Sequence, residues 1–317
     1  MKPFTTIPQQ LVILKERGLM IRDEKMAAKV LNRINYYNLI NGYKDYFLAE
    51  RGENEKFREG VFFEDIHGLY ALDYELRNLL LKYILKFETN LKSKISYRFS
   101  EAYSEPNAYL ELKSFDLNSK NSKFIPELIF TIKKIMNEQG KKKTSIRHYL
   151  DNHGHVPIWV LTSYLTFGNV QYFYLSLKPK LKNQIAKDFS MEFAEEYGRQ
   201  QIKIMPEMLE AIIKVVNYFR NVCAHEERLY NFKVYKKARS ASLAKVLNMP
   251  ADYLNDGNVF TLISILKLVT EKDSYGHLLS ELETLFQKYQ NEVFSISMAP
   301  FLHEMGFPDE WVRLLAK

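Results

Sequence analysis

Apolar residues recur at steps of three and four along most of this chain, the spacing that places them on one face of an α-helix. The longest such run predicts a helix from about Phe63 to Phe99. Its apolar stripe consists of Leu69, Leu72, Leu76, Leu80, Ile84, Phe87, Leu91 and Ile95. Asp73 and Arg77 lie four residues apart in the same helix and can pair there, for a structural or a functional reason.

Shorter helices are predicted before and after this one. Residues 8–18 form an amphipathic segment that Gly18 would end, and Asp23 is a suitable N-cap for a helix through about residue 34. The same periodicity predicts further helices over about 124–138, from Pro206 through residue 225, over 259–269 and around Trp311.

Polar or irregular stretches separate the predicted helices, and none of them shows the alternation of a β-strand. The aromatic stretch 35–47 is expected to be a packed, irregular connection, and 51–60 a flexible linker. Further breaks in the helical pattern are predicted at 116–123, 139–145, 151–160 and 167–170.

The composition agrees with a helical protein. Its 12 glycines and 10 prolines in 317 residues are too few for the turns of a β-sandwich or barrel, and 46% hydrophobic residues suffice for a packed core. The predicted fold class is therefore all-α. We expect an N-terminal helical region over 1–60, a helical core over 61–239 and a C-terminal helical region packed on the core over 240–317.

The net charge and the number of cysteines limit the classes of partner and the cellular compartments that are expected. The formal net charge of +7 suits a polyanionic partner, and it suits equally a soluble basic protein with no nucleic-acid role. Cys223 is the only cysteine, which excludes an intramolecular disulfide and fits a reducing compartment. The N-terminus lacks the apolar run of a signal peptide, and Lys or Glu interrupts every apolar run before a bilayer could be spanned. A cytoplasmic protein without a membrane partner is expected.

The sharpest local motif is RNVCAH at 220–225. Cleaving RNA without a metal requires a group that moves a proton and a cation that stabilises the charged phosphorane. Histidine is the residue type suited to the first task, which makes His225 the candidate. Arg220 offers a permanent charge for the second task, and Asn221 lies four residues before His225 and can orient it. The spacing alone is a weak signal. Arg220 could instead form a surface ion pair, and His225 could stabilise a helix C-terminus.

Other candidate chemistry is weaker. Arg147 and His153 repeat a similar spacing in a stretch expected to form a loop, and the histidines at 148, 153 and 155 complete no recognised metal site. Cys223 is expected to be a packed helix cysteine and not a nucleophile. No glycine-rich phosphate loop is present in the sequence, so neither a metal nor a nucleotide cofactor is predicted.

Basic and aromatic residues alternate directly after the motif. Lysine and arginine can engage phosphates, and exposed aromatic rings can stack on unpaired bases. The candidate RNA-binding residues are Arg228, Tyr230, Lys233, Lys236, Lys237 and Arg239. The alternative is a solvated lysine face with tyrosines in the core. Two other lysine clusters, at 141–143 and 178–182, are assigned to solvated surface.

Six separate blocks resemble the abortive-infection family of AbiD- and AbiF-like proteins, and they occur in the family's order. They are QLVILKERGL (10–19), INYYNLINGYKDYF (34–47), FEDIHGLYALDYELRNLLLKYILKFE (63–88), PIWVLTSYLTFGNVQYFY (157–174), RNVCAHEERLYN (220–231) and MGFPDEW (305–311). The resemblance implies a HEPN-type helical core in which an Arg-x4-6-His motif forms a ribonuclease site. It also implies a toxin of anti-phage defence, in some members controlled by a small noncoding RNA.

The resemblance assigns Arg220 and His225 to the catalytic pair and Asn221 to the motif's polar second position. Members of the family usually pair so that two motifs face one another in a composite cleft. This chain contains no second convincing motif, so the resemblance implies a homodimer. The expected activity is metal-independent cleavage of RNA by its own 2′-hydroxyl. The alternatives are a nonenzymatic protein that holds a small RNA, and a helical protein-interaction module that uses the aromatic N-terminal region.

Overall fold

The structure, a computed structural model, describes residues 4–52, 55–199, 202–234 and 240–316, apart from the side chain of Ser240. Helices dominate it, and the predicted all-α class is confirmed. The α-helices are α1 (Ile7–Glu16), α2 (Glu24–Ile34), α3 (Phe63–Ala102), α4 (Ile125–Gly140), α5 (Ser145–His153), α6 (Ile158–Leu161), α7 (Phe167–Ser176), α8 (Pro179–Tyr197), α9 (Pro206–Ala224), α10 (Ser240–Leu247), α11 (Val259–Leu266), α12 (Lys272–Lys288), α13 (Ala299–Glu304) and α14 (Trp311–Ala316).

The described residues form two compact units that do not follow the order of the chain. The first unit combines residues of Met1–Leu80, Val222–Phe232 and His277–Ala316. The second unit combines residues of Leu81–Asn221 and Lys233–Gly276. The division into regions 1–60, 61–239 and 240–317 runs along the chain, whereas each unit is built from separate segments. That division therefore stays a prediction.

The N-terminal helices begin and end where their capping residues predict. Gly18, just after α1, has a φ of +86°, a backbone conformation that glycine adopts without a side-chain clash. The Asp23 carboxylate accepts a hydrogen bond from the Met26 N–H at 2.9 Å and caps α2. Both predicted helices are confirmed.

A short β-hairpin follows the irregular segment, and the prediction of no strands was wrong here. Strand β1 (Leu48–Glu50) pairs antiparallel with β2 (Lys56–Phe57). Strands of three and two residues are too short to show an alternating pattern in the sequence. Lys44 lies 2.5 Å from the Glu55 carboxylate, so the stretch 51–60 is anchored by an ion pair and is more than a linker.

The predicted apolar stripe of α3 is confirmed. Each of its eight residues is buried, with an exposed fraction of at most 1%. The helix itself runs three residues beyond the predicted end, to Ala102. Helix α9 also matches its prediction, and its buried residues include Leu209, Ile212 and Phe219.

Two predictions about breaks in the second unit were wrong. The stretch with Arg147 and His153 is not a loop but helix α5, in which Thr144 caps the N-terminus and Arg147 pairs with Asp151. The stretch 167–170 opens helix α7, because Thr166 and Asn169 form a capping box. Polar residues that looked like breakers are helix caps in both places.

Residues 240–316 contain the two predicted helices of this region. Every residue of α11 is buried, as its continuous apolar run indicates. Helix α14 begins at Trp311, which is only 9% exposed. Within the described residues, none of the helices combines the length and the apolar character that crossing a membrane requires.

The pair of Asp73 and Arg77 is a buried structural centre of the first unit. Asp73 is fully buried and Arg77 is 3% exposed, and their charged groups are in direct contact. The Asp73 carboxylate also accepts hydrogen bonds from the Tyr43 hydroxyl at 2.8 Å and from the Tyr230 N–H at 2.7 Å. Arg77 donates to the Glu227 carbonyl at 3.2 Å. The pair therefore fastens residues 227–230 to α3.

Burial lowers the pKa of Arg77, but the adjacent Asp73 and Tyr43 raise it more, and the net shift is upward. The guanidinium is therefore charged in the folded protein. A buried cation of this kind depends on its carboxylate partner.

We expect Asp73→Ala to lower the free energy of unfolding by about 3–5 kcal/mol, because it leaves the Arg77 charge and two backbone N–H groups without their acceptor. Asp23→Ala, which removes only a helix cap, should cost about 1 kcal/mol. Urea unfolding of both variants measures the difference. An Asp73→Ala variant no less stable than Asp23→Ala would contradict the structural role of the pair.

Candidate functional site

The RNVCAH motif lies at the C-terminal end of helix α9. Asn221 belongs to the last turn of the helix, Arg220 lies directly before that turn, and His225 follows the final residue, Ala224. Glu226 then adopts a left-handed conformation with a φ of +56°. The Glu227 N–H donates to the Val222 carbonyl at 3.1 Å, which closes the helix end in a Schellman arrangement.

His225 is exposed to solvent. The alternative interpretation placed it partly buried against the helix terminus, where it would stabilise the last carbonyl groups. Exposure of the ring leaves it accessible to a ligand or substrate. Asn221, one turn earlier on the helix, is exposed as well.

Arg220 is partly buried beside a carboxylate of α3. Its Nε lies 3.9 Å from Oε2 of Glu88, and 28% of the arginine side chain is exposed. This distance makes the contact an ion pair without a hydrogen bond. Among the described residues, neither Nε of Arg220 nor Oε2 of Glu88 has a hydrogen-bond partner, although both atoms are buried.

Glu88 forms ion pairs with two cationic side chains, Arg220 and Lys92. Its other oxygen, Oε1, accepts a hydrogen bond from Nζ of Lys92 at 2.7 Å, one turn along α3. The three side chains therefore bring two positive charges and one negative charge together, a net charge of +1 in a region that is only partly exposed. A partly exposed excess of positive charge is suited to an anion such as a phosphate.

Three polar residues near Arg220 were not predicted from the sequence: Glu88, Lys92 and Asn217. Asn217 donates from Nδ2 to Oε1 of Gln171 at 2.8 Å, while its own Oδ1 is buried without a partner among the described residues. A usable signal was present for Asn217, because it lies three residues before Arg220 and four before Asn221 on a mostly apolar helix. Glu88 gave no local signal, since its partner lies 132 positions later in the chain (220 − 88).

Cys223 is buried inside the motif, and the prediction of a packed cysteine is confirmed. Burial raises the pKa of its thiol to about 12. The thiol is therefore protonated at neutral pH and is a poor nucleophile.

The predicted RNA-binding residues differ in their exposure, and three of them lie outside the described residues. Arg228 is exposed, and one of its terminal nitrogens donates to the Gly42 carbonyl at 2.8 Å. Lys233 is partly exposed. The remaining three, Lys236, Lys237 and Arg239, lie outside the described residues.

Tyr230 requires a correction. It is 1% exposed, and its ring packs against Tyr43 and Tyr46 with centroid distances of 5.5 and 6.1 Å. Its backbone N–H is bound to Asp73, which holds the residue in the core of the first unit. A ring in this position cannot stack on an RNA base.

No group of three or more His, Cys, Asp or Glu side chains within the described ranges is arranged to hold a metal ion. The histidines at 148, 153 and 155 belong to α5 and the turn after it. Nδ1 of His155 lies 2.9 Å from the His153 carbonyl oxygen.

We expect Cys223 of the folded protein to resist alkylation by iodoacetamide at a pH of about 9, where an exposed thiol is largely ionised. The reason is its burial, which both raises the pKa and blocks access. Intact-mass measurements over time report the reaction, and the same protein in denaturing urea is the control. Labelling of native and denatured protein at equal rates would contradict the buried position.

The comparisons with known proteins identify the family. A family model described as "Abi-like protein" matches residues 29–231, more than half of the chain. The matched stretch includes helix α3 and the whole RNVCAH motif, and it confirms the family predicted from the sequence blocks. No curated protein and no solved structure matches this chain. The chain therefore belongs to the family of Abi-like proteins.

Proposed function

We propose that this protein is a metal-independent endoribonuclease toxin of an abortive-infection defence system. The observation that carries the proposal is the end of helix α9, where an exposed His225 follows a half-buried Arg220 within the stretch that matches the family. Membership of the Abi-like family suggests a role in defence. The ribonuclease activity is our inference from the two side chains.

Arg220 is assigned the role of stabilising the transition state. Its ion pair with Glu88 holds the side chain at 3.9 Å without using Nε in a hydrogen bond. A guanidinium that is held in place while part of its side chain stays exposed can bind the extra negative charge of a phosphorane with little reorganisation. Glu88 is then a positioning residue, which acts through Arg220.

His225 is assigned the proton transfers, and Asn221 the orientation of its ring. The 2′-hydroxyl of the substrate attacks the adjacent phosphorus, so that the 2′-oxygen–phosphorus bond forms and the bond to the 5′-oxygen breaks. A base takes the proton of the 2′-hydroxyl, and an acid supplies a proton to the leaving 5′-oxygen. The products are a 2′,3′-cyclic phosphate, which can open to a 3′-phosphate, and a 5′-hydroxyl.

Two copies of the chain would supply both proton-transfer groups. In a composite cleft, one His225 can act as the base and the other as the acid, and two arginines can face the same phosphate. We therefore propose a homodimer as the active form. A small noncoding RNA that occupies this cleft would restrain the toxin, because it would compete with the substrate for the same cations.

A nonenzymatic RNA-binding protein is the second candidate. The ion pair of Arg220 and Glu88 favours it, because the same pair could serve only to stabilise the helices or grip a small RNA. The protein-interaction alternative has less support, since its aromatic N-terminal segment buries Tyr43 and Phe47 in the first unit.

The first test is cleavage of mixed cellular RNA by the purified protein in excess EDTA. We expect His225→Ala to lose at least about 100-fold in rate, the usual contribution of a general acid or base. His277→Ala, which replaces another exposed helix-associated histidine, should cleave like the wild type. The product ends are identified by 5′ labelling with a kinase. A 5′-hydroxyl accepts the label directly, whereas a 5′-phosphate must first be removed.

Equal cleavage by the wild type and His225→Ala, or products with a 5′-phosphate and a 3′-hydroxyl, would refute the proposed mechanism. If the wild type is inert, nucleic acid extracted from the purified protein separates a restrained toxin from a nonenzymatic binder. Removing that RNA should activate RNA cleavage by a restrained toxin, but not by a nonenzymatic binder.

The second test concerns the dimer. Sedimentation velocity should show a dimer at the concentrations at which RNA is cut, because a single chain supplies a single motif. A sample that cleaves RNA while it sediments only as a monomer would exclude the composite cleft.

A further inference from the structure

A groove in the second unit runs along helix α3 beside α6. It has a volume of about 940 Å³, and six of its ten lining residues are serine or threonine. Lys92 lines the groove as well. The groove, which we call the hydroxyl groove, thus contains the lysine that shares Glu88 with Arg220.

Two large aromatic side chains of the groove are open to solvent. Tyr97 of α3 is 64% exposed, and Trp159 of α6 is 57% exposed. The Arg98 guanidinium lies 5.1 Å from the centroid of the Tyr97 ring, and both aromatic residues remain more than half exposed and open to a ligand. Aromatic rings of this kind are stacking platforms for unpaired bases.

The hydroxyl lining favours a nucleic acid over a protein in this groove. Protein interfaces are depleted in serine, lysine and glutamate at their centre, whereas this groove is rich in serine and contains both Lys92 and Glu101, of which Glu101 is paired with Arg98. Hydroxyl groups both donate and accept hydrogen bonds, so they can pair with base edges and with ribose 2′-hydroxyls. Ser96 and Thr162 are exceptions, because both are buried and their hydroxyl oxygens lie 3.2 Å apart, within hydrogen-bond distance of each other.

A row of charged side chains connects the groove to Arg220 and indicates how a bound nucleic acid would be oriented. Lys92 lies in the groove wall, Glu88 lies one helical turn before it, and Arg220 faces the second oxygen of Glu88. A phosphate drawn toward the net positive charge of this cluster would lie at the end of the groove, with its neighbouring bases within it.

We propose that the hydroxyl groove binds the single-stranded RNA next to the cleaved phosphate, with unpaired bases stacked on Trp159 and Tyr97. This inference rests on the proposed function for its choice of substrate. Stacking is tolerant of sequence because every base has an aromatic face, so the groove selects unpaired RNA and not a particular sequence.

The test measures binding of a fluorescently labelled oligouridine to a His225→Ala protein, which cannot cleave the probe under the proposed mechanism. Adding Trp159→Ala or Tyr97→Ala should weaken binding by about 5- to 150-fold each, the range found for base stacking. The salt dependence of binding should stay the same, since neither ring contacts a phosphate. Lys92→Ala should instead reduce the slope of affinity against salt by about one charge.

A matched control is Phe130→Ala, which removes a ring that is 68% exposed on α4 and does not line the groove. It should bind the probe like its parent. Tryptophan fluorescence gives a second readout, because Trp159 is exposed while the other tryptophan, Trp311, is only 9% exposed. Probe binding should quench the tryptophan emission of the His225→Ala parent, which retains Trp159. The emission of the Trp159→Phe variant should stay nearly unchanged.

The outcomes separate this inference from the proposed function. The proposal that the groove binds RNA fails if the Trp159 and Tyr97 variants bind the probe like their parent, or if the parent does not bind it. This holds even if the wild type cleaves RNA. Affinity lost in those variants upholds the groove even if the wild type never cleaves. A dimer that Trp159→Ala converts to a monomer, with probe affinity per chain unchanged, would assign the groove to a second copy and overturn the inference.

Discussion

The carboxylate of Asp73 organises the first unit around one buried ion pair. Desolvating this charge is costly, and the cost is offset by the Arg77 guanidinium, the Tyr43 hydroxyl and the N–H groups of Leu229 and Tyr230. The two backbone groups lie more than 150 positions further along the chain. Because the carboxylate accepts from all of these groups at once, it determines where the segment after helix α9 lies.

This constraint bears directly on the motif. His225 stands between the end of α9 and the anchored residues 227–230, so both flanks of the histidine are held while its ring remains exposed. The left-handed turn at Glu226 ends the helix at this point without glycine. A general acid or base benefits from such a setting, because a fixed backbone limits the positions that its ring must search.

A second carboxylate, Glu88, holds two cations of the second unit. It accepts a hydrogen bond from Lys92 and leaves Arg220 at ion-pair distance, so the two cations are held without being fully neutralised. Asp73 is enclosed by donors and stabilises the fold, whereas Glu88 retains an unused oxygen beside an unused arginine nitrogen. Among the acidic residues of α3, Asp73 thus has a structural role, and Glu88 has the positioning role that the proposed function assigns to it.

The sequence by itself determined the all-α class, the caps of α1 and α2, the buried stripe of α3, the position of the motif at a helix end and the family. These features depend on the spacing of neighbouring residues, which periodicity and capping rules describe. Only the tertiary structure decided that Tyr230 is buried, that Glu88 faces Arg220, that strands β1 and β2 pair and that Tyr97 and Trp159 share a groove. Such contacts join residues distant in the chain or strands too short for a pattern, so no local spacing encodes them.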